Sequence, residues 1–283
     1  MEPLIQGIRG DTKGVSIDSV TVLRCLHSLL WFRGPVWRHC STVRRQVLPL
    51  LLEHYKATLQ ERDQVILSCL AYFDNAFDDD CDLEKGLWPL FQTCVWGPAY
   101  AKMAAKSENF SPSAMRQNAD AVLECLDSEM LLNSAFNFTT KRSFDSVQKG
   151  IMENSTTPQY YDPAFLVPVF ARTLTFQNWP LTVSNFVTNN VLAYLLAALQ
   201  SEDVRLRSIA YSAIVGLECY ANKQLKTSQP LLQFFDLIRQ SIPEAGCRIS
   251  PTMASVLAKL PGILFGHSNF NFIFYFKFQL FKY

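Results

Sequence analysis

Three times in this chain a capping side chain stands directly before a proline, and an apolar stripe of helical period follows. The pairs are Ser111-Pro112, Asp162-Pro163 and Ser250-Pro251. A Ser or Asp oxygen accepts from the free N–H groups of a first helical turn. Proline in that turn has no N–H to leave unpaired, and its fixed φ suits the helix.

The stripes extend through the chain. Val22, Leu23, Leu26, Leu29 and Leu30 form one; Val43, Val47, Leu50 and Leu51 a second; Val65, Ile66, Cys69, Leu70 and Phe73 a third. Further on, Val191, Leu192, Leu195, Leu196 and Leu199 share a face, and Ser201-Glu202-Asp203 supplies a cap with acidic first-turn residues. The next helix turns Leu206, Ile209, Ala210, Ala213, Leu217 and Tyr220 inward. After Thr227-Ser228-Gln229-Pro230, the inward set is Leu231, Phe234, Phe235, Ile238 and Ile242. Before residue 268 no Asn-Gly or Asp-Gly hairpin turn joins alternating runs, and the β-branched run Thr182–Thr188 is short.

The expected fold is therefore all-α, with roughly ten to thirteen helices at the mean helix length. From about residue 163 onward, helix pairs recur at an interval of about forty residues, in the range of HEAT and armadillo repeats. We expect an irregular α-solenoid; a compact helical bundle is the alternative. The expected organisation is an N-terminal helical unit over 1–140, a polar linker over 141–160, a C-terminal helical-repeat unit over 161–266 and an atypical tail over 267–283.

Composition supports a folded chain. Of 283 residues, 49% are hydrophobic and 18% charged, which excludes a charged, core-poor disordered segment. The net charge of +1 argues against a broadly basic nucleic-acid coat, though not against a local patch. The eight cysteines are irregularly spaced, form no CxxC pair and often lie inside apolar patterns, so they read as buried free thiols of a reducing compartment. Cys25–His27 and His39–Cys40 are isolated couples, short of the paired spacing that zinc needs. No stretch reaches the ~18 apolar residues of a membrane helix, and Met1–Gly10 has no signal-peptide core.

Few residues invite chemistry. An EF-hand loop starting at Asp78 would need Gly at 83 and a carboxylate at 89, where Leu83 and Pro89 stand. There is no phosphate-binding loop, dinucleotide fingerprint or nucleophile elbow, and the four histidines are unpartnered in sequence. We expect no catalysis, cofactor, metal or small-molecule substrate. Basic residues cluster as Arg33, Arg38, Arg44 and Arg45, as Lys141-Arg142, and as Arg205 and Arg207. Such clusters are ordinarily solvated faces. The sharper reading makes Arg38, Arg44, Arg45, Arg205 and Arg207 phosphate contacts to RNA, directed at backbone and shape.

Five stretches carry a resemblance. Tyr160-Tyr161-Asp162-Pro163-Ala164-Phe165-Leu166-Val167-Pro168-Val169-Phe170 resembles the YDPxFLLPLF signature of the nucleolar pre-ribosomal-associated protein 1 family, in its C-terminal domain. The run from Tyr55 to Leu67 is similar to that family's Y-x-A-T-L-S-x-x-D-x-x-I-L, and Trp96-Gly97 to its W-G motif. Asn190–Tyr220 resembles the helix pair that follows, and Ala254–Lys259 a last element. The resemblance spans about residues 45–265. It implies a non-enzymatic helical scaffold of the nucleus and nucleolus, acting in early large-subunit assembly and pre-rRNA processing. The implied partners are pre-ribosomal RNA and assembly factors, including an RNA helicase. A generic HEAT-like protein-interaction module is the alternative. Tyr161, Asp162, Pro163, Phe165, Leu166, Trp96 and Gly97 then form a structural signature, with Asp162 capping, Pro163 opening the helix, and Phe165, Leu166 and Val169 in the core.

The tail departs from that family's pattern. Between His267 and Tyr283 lie six Phe and two Tyr, and Phe270, Phe272, Phe274, Phe276 and Phe278 alternate at a strand-like period. Such a run is an aggregation hazard when exposed. We expect it to be a read-through or a mis-predicted exon end, and the interpretable sequence to stop near Gly266.

Overall fold

The computed structural model describes residues 20–33, 41–73, 95–104, 119–148, 150, 159–175, 183–223, 229–242, 244 and 246–265. The acidic run at 78–84, Ser111-Pro112, Arg38 and the Phe-rich tail lie outside them. Thirteen helices and no strand occur among the described residues. The all-α expectation holds, and the ambiguous Thr182–Thr188 run forms a helix over Val183–Thr188. Packed helix pairs of the solenoid-like kind recur through the chain.

Two compact units divide it, and their segments alternate along the sequence. The first comprises Met1–Asp127 and Arg142–Thr173; the second comprises Ser128–Lys141 and Leu174–Tyr283. Arg142 is fully buried in the first unit, and Phe144, Ser146 and Val147 are buried with it.

In the first unit, α1 (Val20–Arg33) packs on α3 (Glu61–Phe73), as does α2 (Ser41–His54). Against α2 lies α4 (Gly97–Ala104), followed by α5 (Ala119–Glu124). The short α7 (Phe144–Gln148) also packs on α3, tied by Ser68 Oγ donating to the Val147 carbonyl at 3.0 Å. Leu23, Leu26 and Leu30 of α1 are buried as its stripe predicts, as are Val43, Val47 and Leu51 of α2. Helix α3 goes further, because every residue from Asp63 to Phe73 is buried. α8 (Pro163–Thr175) begins in this unit and carries the Asp162-Pro163 start.

The second unit is centred on α10 (Val191–Ala198), which touches α6 (Ser128–Phe136), α9 (Val183–Thr188), α11 (Val204–Lys223) and α13 (Pro251–Phe265). All eight α10 residues are buried. The single stripe read from the sequence is in fact one side of a helix that is apolar all round, as a central helix must be. Helix α12 (Gln229–Ser241) packs on α11 and buries Leu231, Phe234, Phe235 and Ile238.

The Ser250 cap forms as expected, whereas at α11 the cap is Asp203 and not Ser201. Ser250 Oγ accepts from Met253 N at 3.2 Å, heading α13. Asp203 Oδ1 accepts from Arg205 N at 2.8 Å, while Ser201 Oγ accepts from Asp203 N at 3.2 Å.

Candidate functional site

The signature residues of the sequence meet in the first unit. Asp162 is the centre of the cluster. Its Oδ1 accepts from Ala164 N at 2.9 Å, and its carbonyl accepts from Leu166 N at 3.0 Å, so it caps α8 while Pro163 occupies the first helical position. Its carboxylate also takes a fork of donors from Arg142. Arg142 Nε donates to both oxygens at 3.2 and 3.1 Å, and Nη2 donates to Oδ2 at 2.7 Å. Both side chains are out of water, at 1% and 0% exposure. A buried guanidinium is tolerable only when paired and hydrogen-bonded. Arg142 Nη1 makes a further donation to Ser146 Oγ at 3.4 Å. Ser146 is itself held by a reciprocal cap at the start of α7: Ser143 N donates to Ser146 Oγ at 3.2 Å, and Ser146 N to Ser143 Oγ at 3.1 Å.

The residues before Asp162 are stitched to the Tyr55–Leu59 segment. Asp162 N donates to the Ala57 carbonyl at 2.8 Å, and Leu59 N to the Tyr160 carbonyl at 2.7 Å. Thr58 and Tyr161 form an isolated antiparallel bridge. Ala57 holds φ at 59°, a left-handed value that costs a non-glycine residue free energy. The turn is fixed from the other side by α3. Asp63 Oδ2 accepts from Thr58 N at 3.0 Å and from Thr58 Oγ1 at 2.6 Å, and Gln64 Nε2 donates to the Leu59 carbonyl at 2.7 Å. Burial pushes the Asp63 carboxyl above its usual range, against the Thr58 hydrogen bonds and the Arg62 and Lys56 charges, which pull it down.

Aromatic packing completes the cluster. The Phe165 ring receives Tyr55 and Trp96 edge-on, each with centroids 4.9 Å away. Gly97, next to Trp96, has φ at 56°, and a Cβ there would lie 3.1 Å from the Tyr55 carbonyl oxygen. Both the sign of φ and the close approach of backbone call for glycine. The Trp96 carbonyl accepts from Cys125 Sγ at 3.1 Å, and Tyr161 Oη accepts from Asp127 N at 2.8 Å. Burial raises the Cys125 thiol to about 11 and raises the Tyr161 phenol. Tyr161, Asp162, Pro163, Phe165, Leu166 and Trp96 are all buried. What the arrangement does chemically is hold four chain segments and a buried ion pair together. It presents no reacting group to solvent.

Arg142 corrects the sequence reading. With Lys141 it was expected on a solvated face, yet it is one of the largest fully buried side chains of the chain. Its partner lies 20 residues away, and no local pattern announces the pairing.

The basic residues expected at a partner surface are placed differently from one another. Arg45 is exposed on α2. Arg44 lies on the same helix, its side chain outside the described set, and Arg38 lies outside the described residues altogether. Arg205 is 40% exposed, with Nε 3.6 Å from Asp203 Oδ1. Arg207 is occupied by backbone: its Nη1 donates to the Ser201 and Glu202 carbonyls at 2.7 and 3.2 Å, and its Nε to the Gly246 carbonyl at 3.3 Å. Arg248 works beside it, donating from Nε to the Gln200 carbonyl at 2.8 Å and pairing with Glu202 at 3.3 Å. These two arginines strap the 246–250 segment to the loop before α11, helped by Ile249 N donating to the Leu199 carbonyl at 3.3 Å and Tyr211 Oη to the Cys247 carbonyl at 2.8 Å.

Among the described residues no group of three or more His, Cys, Asp or Glu could hold a metal ion, and no helix is long and apolar enough to cross a membrane.

Comparison with known proteins finds two relatives. The chain is 25% identical over 218 residues to human nucleolar pre-ribosomal-associated protein 1, covering 74% of this chain and 9% of that protein. It is 25% identical over 243 residues to the mouse protein of the same name, covering 82% of this chain and 10% of the relative. The chain thus spans about a tenth of the length of the curated relatives it matches. Both matches support the relationship that the motifs suggested. No family model matches, and no solved structure matches.

Proposed function

We propose that this chain is a non-catalytic helical scaffold acting in early assembly of the large ribosomal subunit, in the nucleolus. One observation carries the reading. The motif residues that connect the chain to its relatives converge on a buried packing and hydrogen-bonding cluster around Asp162, Arg142 and Phe165, and so specify a fold rather than a reaction. Helical repeat arrays present extended surfaces to partners. The relatives' names supply the setting: pre-ribosomal particles of the nucleolus. In this reading the chain holds assembly factors, an RNA helicase among them, and touches pre-ribosomal RNA through its basic surface.

Arg38, Arg44, Arg45, Arg205 and Arg207 remain the proposed phosphate contacts. Of these, Arg45 and Arg205 test the idea most simply, because replacing Arg207 would also remove its three carbonyl contacts. Fluorescence imaging of the tagged chain in cells tests the setting. Nucleolar accumulation is expected. A diffuse cytoplasmic signal favours a generic HEAT-like protein-interaction module instead.

A further inference from the structure

We draw no further inference here: the strongest candidate, the exposed Trp31–Phe32 aromatic pair at the C-terminal end of α1, carries nothing because nothing in the structure shows what covers it.

Discussion

Arg142 grips the carboxylate of Asp162 through two nitrogens, the shorter contact 2.7 Å, with neither side chain reaching water. The same carboxylate caps α8. One residue therefore sets both where the signature helix starts and where the 142–148 segment docks. Removing one partner of a buried pair strands the other charge, which costs about 3–5 kcal/mol. Chemical denaturation of Arg142→Met and Asp162→Asn should show losses of that order. The double variant should lose clearly less than the sum of the two. Additive losses, or single losses below about 0.5 kcal/mol, would contradict a coupled pair.

Gly97 is expected to be intolerant of a side chain. Its φ of 56° is unfavourable for alanine, and the new Cβ would press on the Tyr55 carbonyl at 3.1 Å, backbone that cannot easily retreat. Gly97→Ala should destabilise by about 1–3 kcal/mol. An unchanged denaturation midpoint would show that the Trp96-Gly97 turn does not need this conformation.

Much of this fold is legible in the sequence, because helical stripes and caps are local signals. Asp162-Pro163 predicts the start of α8 correctly, and the α12 stripe names four buried residues, with Ile242 half-buried beyond the helix end. Helix α10 shows the first limit. A stripe marks the residues that must be buried, but says nothing about how many neighbours surround a helix. Arg142 shows the second. A charged residue in a polar stretch reads as solvated, and its burial depends on a carboxylate 20 positions away. Asp63 belongs with it: within a helical run it looks like an ordinary acidic first-turn residue, yet it fixes the Thr58 turn. Such polar pairs, whether five or twenty residues apart, leave no periodic trace.

Acid should weaken the first unit through His27. Burial lowers its pKa from the ordinary 6.5, and its Nε2 is buried without a hydrogen-bond partner among the described residues. The unfolded chain therefore takes up the proton first, and the stabilisation present above pH 6.5 is lost as pH falls through the folded value. Asp63 works in the opposite sense: its raised pKa gives a contribution complete below 3.8 and lost as pH rises through the folded value. In denaturation series at decreasing pH from 7, His27→Gln should lose less stability below 6.5 than the unsubstituted chain. Parallel slopes would remove His27 as the cause.

The thiols should separate by burial. Against the expectation of buried thiols, Cys25 and Cys219 are exposed, while Cys69 is fully buried with its pKa pushed well up, and Cys125 is raised to about 11. Alkylation of the native protein at neutral pH, mapped by peptide mass spectrometry, should modify Cys25 and Cys219 before Cys125 and Cys69. Cys69 should react only on unfolding. Early labelling of Cys69 would mean that α3 opens readily.

The scaffold reading is tested most directly by affinity purification of the tagged chain from cells, with bound RNA and protein quantified. The predicted result is enrichment of precursor large-subunit RNA together with nucleolar assembly factors. A combined Arg45→Glu and Arg205→Glu variant should keep its folded stability and retain less of the RNA, with the difference from the unsubstituted chain largest at low salt and shrinking as salt is raised. Recovery of neither precursor RNA nor nucleolar factors by the unsubstituted chain would contradict the account.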